Sequence, residues 1–384
     1  MRNDRSTTKV FVAMSGGVDS SVAAALLQRK GYAVVGVHLK CWNVDGCAEQ
    51  DAEDARRAAE TLGIPFYVWD MEKEYRARVV NYMIRGYRSG ETPNPDVMCN
   101  KEIKFGLFFR KARALGANYI ATGHYVRLRR TATSKQRQVK RVGDSLSFAA
   151  YSLSLFVAKD CNKDQSYFLW TLTQGQLRHC FFPIGDYVKP RVRAMARKFK
   201  LPNAEKKDSQ GICFLGKVML TDFLGQYIPE KDGEIRDVRG EKIGEHRGAQ
   251  FYTIGQRHLG VANSKWQRAN SRNKDPQPLY VSEKDMRTNT LVVAEGDGHP
   301  ALYRKEVQLA NVNFIRNNLR FALGDLPVYA RVRYRQLLAQ AILERINPKT
   351  YQLTFAEPQK FVAPGQSAVF YSRRGELLGG GVIV

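Results

Sequence analysis

No stretch of the 384-residue chain approaches the roughly 18 consecutive apolar residues that a membrane-spanning helix needs. The opening residues, MRNDRSTT, carry no apolar signal region, so a cytoplasmic protein with no membrane partner is expected. Six cysteines occur, but no two are spaced CxxC. That spacing argues against a zinc site of the usual kind and gives an iron–sulfur cluster no support, so no metal-ligand set is assigned. A structural disulfide framework is not expected in a cytoplasmic chain either. Acidic residues are scarce: 37 Asp and Glu stand against 61 Lys and Arg, a formal net charge of +24. An enzyme confined to small metabolites has little use for that excess. A polyanion has, because each neutralised phosphate releases condensed counterions, so a nucleic acid is the expected partner. No internal repeat is visible.

What is present divides the chain. In the first half, short apolar runs (Lys9 to Met14, Tyr32 to Leu39, Ile64 to Trp69, Asn118 to Thr122) alternate with helical patterns (Ser21 to Lys30, Ala48 to Leu62, Glu72 to Arg88, Lys104 to Leu115). Such alternation predicts a parallel sheet covered on both faces. Arg127 to Ser147 is basic and polar and reads as a surface insertion. After about Leu220 the segments become short, alternating and bounded by Gly, Pro, Asp or Asn, and from Lys305 to Val384 they suggest a small closed barrel. The expected fold class is α/β plus β. A Rossmann-like parallel-sheet domain spans 1–218, with the basic insertion at about 127–160. A small central β-rich segment spans 219–295, and a C-terminal β-barrel 296–384.

Three segments carry chemistry. The first is Ser15-Gly16-Gly17-Val18-Asp19-Ser20-Ser21, between the first strand and the first helix. Glycines let a backbone approach phosphate oxygens, and a helix N-terminus supplies oriented N–H groups. Asp19 is odd beside bare phosphates unless it holds Mg²⁺ or orients the turn. The turn lacks the Lys-Ser/Thr ending of a Walker loop, and it is not GxGxxG. The second segment is Thr92-Pro93-Asn94-Pro95-Asp96-Val97-Met98-Cys99-Asn100. Asp96 and Cys99 are spaced i, i+3, so one helical turn puts both on one side. A thiol at a helix start beside Lys101 and Lys104 is expected to have a lowered pKa. Asn94 either bonds a base edge or caps the turn. The third segment is Lys206-Lys207-Asp208-Ser209-Gln210-Gly211-Ile212-Cys213, a thiol after a Gly in an electropositive setting. On residue chemistry alone, each cysteine is as easily a small buried hydrophobe.

SGGVDS resembles the pyrophosphate-binding (PP-loop) turn of ATP pyrophosphatases. AMSGGVDSS, TPNPDVMCNKEIKFG, YIATGHYVR, NKDQSYFL, FPIGDYVKPRVR, KKDSQGICF, IGEHRGAQFYTIGQR, RVRYRQ and PGQSAVFY are together similar to the tRNA-specific 2-thiouridylase family, through nearly the whole chain. That resemblance implies an ATP site at Ala13, Met14, Ser15, Gly16, Gly17, Val18, Asp19, Ser20, Leu39 and Gly123, with Mg²⁺. It implies Cys99 as the catalytic thiol, Cys213 as the persulfide carrier and Asp96 as the acid–base group, with a Cys99–Cys213 disulfide in the cycle. It implies tRNA contacts, at the anticodon loop, from Asn94, Pro95, Asp96, His124, Lys163, Asp164, Gln165, Arg333, Tyr334 and Gln366. The partners implied are tRNA and a persulfide-donating protein, with a free monomer expected. A lysidine-type ligase, a 4-thiouridine enzyme and a nucleotide-sensing RNA-binding protein are the alternatives that the residues alone leave open.

Overall fold

The computed structural model describes residues 7–42, 44, 47–132, 151–207, 214–216, 218–257, 259, 277–316 and 325–384. Cys213 and the middle of the basic insertion, 133–150, lie outside the described residues.

β1 (Lys9–Ala13), β2 (Ala33–Lys40), β3 (Phe66–Asp70) and β4 (Tyr119–Ala121) form an all-parallel sheet in the order β3-β2-β1-β4. The sequence of β1, KVFVA, is apolar at alternate and intervening positions because both its faces are covered. α1 (Val18–Arg29) and α2 (Cys47–Leu62) pack on one face, with Val22, Ala23, Ala24, Ala55, Ala58 and Ala59 all fully buried. On the other face lie the helices spanning 72–88 and 95–114, with Val79, Met83, Ile103 and Phe108 buried. Strand order reverses between β1 and β4, and the crevice at the carboxyl ends of these strands is where such sheets take ligands.

Three local expectations change. α1 begins at Val18, so the Gly-rich turn runs directly into the helix. The helix expected from Lys104 begins at Pro95, and Cys99–Phe108 is wound with π-type hydrogen bonds. Arg127 to Ser147 is not all loop: β5 (Arg127–Ala132) pairs antiparallel with β6 (Tyr151–Phe156). The strand signal of β5, RLRRTA, was obscured by the charge of the segment. β7 (Cys180–Phe181) then closes the parallel sheet beside β4.

The central segment is a mixed sheet of β8 (Gly233–Asp237), β9 (Lys242–His246), β10 (Leu279–Asp285) and β11 (Thr290–Glu295). The C-terminal strands are β12 (Tyr303–Phe314), β13 (Leu326–Arg331), β14 (Ala339–Arg345), β15 (Thr350–Lys360), β16 (Ser367–Tyr371) and β17 (Glu376–Ile383). They run β12-β15-β14-β13-β16-β17, and β17 returns to β12, so the sheet closes into the expected barrel. The β5–β6 hairpin adds to it through β6 and β17.

The barrel is fastened to the α/β part by a buried charge network. Arg331 Nη2 lies 2.5 Å from Asp164 Oδ2, and the two side chains are 7% and 4% exposed. Two charges taken out of water cost several kcal/mol each unless every lone pair and proton is used. Here most are used. Asp164 also accepts from the Ala158 and Ser166 amides and the Ser166 hydroxyl, and Arg331 also donates to Tyr371 Oη and Ser166 Oγ. Beside it Tyr167 Oη donates to the Ser367 carbonyl and Trp170 Nε1 to Ser367 Oγ. Arg331→Met is expected to lower folding stability by about 3–5 kcal/mol, because Asp164 is left charged and alone. Adding Asp164→Leu should recover most of that loss. Denaturant titration checks it, and an equal loss in the single and double variants would contradict the network's role.

Candidate active site

The Gly-rich turn is built by close approach. Gly16 has φ +77°, and a Cβ there would stand 2.3 Å from the Asp51 carbonyl oxygen. Gly17 opens α1 in an extended conformation with no side-chain cap. The first-turn N–H groups, which a helix cannot satisfy from within, therefore face the turn. Ser20 Oγ accepts from the Ser15 amide, while Ser20 and Ser21 hydroxyls donate to the Gly17 carbonyl. Asn203 Nδ2 holds the Gly16 carbonyl from behind at 2.8 Å. Met14 is buried and its carbonyl meets His38 Nδ1 at 3.0 Å; Ala13, Val18 and Leu39 pack in the surrounding core. At the end of β4, a Cβ on Gly123 would come within 2.6 Å of the Ser20 amide nitrogen. Ser15, Gly16, Gly17, Ser20 and Gly123 therefore lie together at the start of α1, while Ala13 and Leu39 pack against one core cluster and Met14 and Val18 in the other.

Asp19 is not free for a metal ion. Both its oxygens lie within 2.9 Å of Lys189 Nζ, and Tyr125 Oη donates to Oδ1 at 2.7 Å. The turn is oriented by this clamp. No group of three His, Cys, Asp or Glu able to hold a metal occurs among the described residues. Among the described residues the turn therefore offers Mg²⁺ no free carboxylate set. Lys189 was missed from sequence because its partner lies 170 residues away. Gln165 works at the same place: it exchanges hydrogen bonds with the Tyr125 backbone, accepting at Oε1 and donating from its amide.

The path from this turn to the thiol is short. Gly123 touches Ser20, and the next residue, His124, lies 7% exposed between Phe105 and Phe182. Its Nδ1 meets Thr122 Oγ1 at 2.8 Å. Burial, with the Lys104 charge beside it, pushes the His124 pKa well below its ordinary value, so the ring is neutral. Lys104 in turn faces Cys99. The Cys99 thiol hydrogen-bonds Tyr75, itself 2% exposed. The expectation of a lowered thiol pKa is corrected: burial pushes it up, and Asp96 adds to the rise against the opposing pull of Lys104 and Tyr75. A fully enclosed thiol loses more hydration than one lysine returns. Asn94 does cap the helix, its Oδ1 accepting from the Val97 amide at 3.1 Å, and Pro95 is buried at the first position. Asp96 is half-buried on the side of Cys99.

Cys213 itself lies outside the described residues, but its neighbours are anchored. Phe214 is 2% exposed, its carbonyl accepts from the Val44 amide, and its ring meets Tyr75 edge-on at 5.8 Å. On the other side Lys206 is bound to Asp51 and Asp54, so one of the paired lysines is neutralised and the setting is less electropositive than the sequence suggested.

Among the residues matched to tRNA contacts, several are used inside the protein. Asp164 is committed to Arg331, which removes its carboxylate from any RNA. Gln366 Nε2 donates to the Thr92 carbonyl at 2.8 Å, and the Thr92 amide donates to the Pro364 carbonyl. The barrel thereby grips the segment entering the Cys99 helix. Tyr334 packs on Phe168 at 4.4 Å and Arg333 lies over the Phe361 ring at 5.5 Å. Arg333, Tyr334 and Lys163 are half-buried.

Residues 8–217 match the family model described as tRNA methyl transferase HUP domain, and 221–295 the tRNA methyl transferase PRC-barrel domain. Residues 304–383 match the aminomethyltransferase beta-barrel domain. Among curated proteins, the tRNA-specific 2-thiouridylase of Nitrosomonas europaea is 43% identical over 98% of this chain and 98% of its own. That of Bacillus pumilus is 42% identical over 98% and 95%. Among solved structures, an NMN synthetase from Francisella tularensis aligns at 17% identity over 57% of this chain and 72% of its own. Its TM-score of 0.33 is too low to add to the fold already described. No helix among the described residues is long and apolar enough to cross a membrane. The end-to-end identity with the two thiouridylases, on a crevice that joins a phosphate-type turn to a thiol, makes this chain a member of the tRNA-specific 2-thiouridylase family.

Proposed function

We propose that this protein thiolates the wobble uridine of tRNA at C2, at the expense of ATP. The observation that supports the reading most is the continuous path from the Gly-rich turn, through Gly123, His124 and Lys104, to Cys99. Oxygen on C2 is a poor leaving group. Its attack on the α-phosphorus expels pyrophosphate and makes it part of AMP, a good one. The first-turn N–H groups of α1 and the Ser15 hydroxyl stabilise the charge on the departing pyrophosphate.

Sulfur then arrives as a persulfide on Cys213, loaded by a donor protein. Its terminal sulfur attacks C2 and AMP leaves. Attack of the Cys99 thiolate on the Cys213 sulfur breaks the S–S bond, frees 2-thiouridine and leaves a Cys99–Cys213 disulfide. Two electrons from a thiol reductant restore both thiols. Asp96, one helical turn from Cys99, takes the thiol proton. Burial keeps Cys99 protonated until that step, which protects it from adventitious oxidation. Extruding the base from the anticodon stack costs a few kcal/mol, least for a loop nucleotide. The +24 net charge supplies binding to offset it.

Two measurements follow. With ATP, tRNA and a persulfide source, nucleoside mass spectrometry should find 2-thiouridine, and Cys213→Ser should abolish it while tRNA-dependent pyrophosphate release persists. Thiolation by Cys213→Ser at the wild-type rate would sink the carrier role. In the free protein, Cys99 should resist iodoacetamide at pH 7. Because its pKa is raised, its alkylation rate should still be climbing at pH values where an exposed cysteine has levelled off. A plateau near pH 7 would contradict a buried thiol.

A further inference from the structure

Asn100 follows Cys99 and has no part in the scheme above. Its side chain is 3% exposed, and its Oδ1 has no hydrogen-bond partner in the protein. Its Nδ2 donates to the Phe168 carbonyl at 3.4 Å. A carbonyl can only accept, so the amide cannot be turned around, and the open position is fixed as an acceptor. A buried acceptor left unpaired costs about 1–3 kcal/mol, and such an atom beside a reactive thiol asks for a donor. Spacing places it well: Asp96, Cys99 and Asn100 stand at i, i+3 and i+4, on one face of the helix. Phe168, whose carbonyl holds the amide, also packs against the Tyr334 ring.

Uracil and cytosine both present a C2 carbonyl, so the reacting group itself cannot tell them apart. They differ at N3, the atom next to C2. Uracil has an N3–H donor there, and cytosine a lone pair. Resting on the proposed thiolation of uridine, we infer that Asn100 is the specificity-determining residue for that base, its Oδ1 accepting from uracil N3–H. As the C2 oxygen gives its electron pair to the α-phosphorus and pyrophosphate leaves with the bonding pair, positive charge spreads over C2 and N3. The N3–H bond to Oδ1 strengthens in that transition state, which raises the rate as well as the affinity. A cytosine would set its N3 lone pair against Oδ1, and sites built this way reject the wrong partner strongly.

The test is tRNA-dependent pyrophosphate release from ATP, in single turnover, with transcripts differing only in uridine or cytidine at the wobble position. Wild type, Asn100→Leu and Asn100→Ala are compared by the ratio of the two rates. That ratio does not depend on how much of each variant is folded. Wild type should prefer uridine by at least about 100-fold, and both variants should fall within about tenfold of parity, chiefly by slowing on uridine. An undiminished uridine preference in either variant would overturn the role of Asn100 and leave the thiolation reading intact. No pyrophosphate release by wild type with the uridine transcript would overturn the thiolation reading and the inference together.

Discussion

The buried pair of Asp164 and Arg331 is the contact on which the site's shape depends. It holds the 164–169 turn against the barrel, and that turn reaches the crevice in two directions. Gln165 fixes the Tyr125 backbone, and Tyr125 with Lys189 fixes Asp19 in the phosphate-type turn. Phe168 holds the Asn100 amide behind Cys99. A third grip comes from the other end of β16, where Gln366 and Pro364 hold Thr92 ahead of the Cys99 helix. The C-terminal barrel is thus part of the site's framework.

Burial governs the electrostatics at this centre. The chain carries a large positive excess, yet two lysines around the Gly-rich turn are matched: Lys189 by Asp19, Lys206 by Asp51 and Asp54. Cys99 and His124 are both held neutral by loss of solvent.

The strand–turn–helix at the front of the chain and the closed barrel at its end were legible in the sequence, because both rest on local periodicity and on Gly and Pro placement. The Asp96–Cys99 spacing and the Asn94 cap were legible for the same reason. The Asp164–Arg331 pair was not, since its members are 167 residues apart and the resemblance matched Asp164 to a tRNA contact. The Cys99 thiol was misjudged because neighbouring lysines are visible in sequence and burial is not. Lys189, Tyr125 and Asn203 act on the Gly-rich turn from segments with no local signal of that role.

The central claim is that the barrel's grip sets the geometry around Cys99. Amide hydrogen exchange on Arg331→Met, compared with wild type, tests it most directly. Exchange should quicken in two segments distant from residue 331 in sequence, 92–104 and 164–169, while α1 and α2 keep wild-type protection. Faster exchange confined to the barrel strands, with residues 92–104 unchanged, would contradict the account.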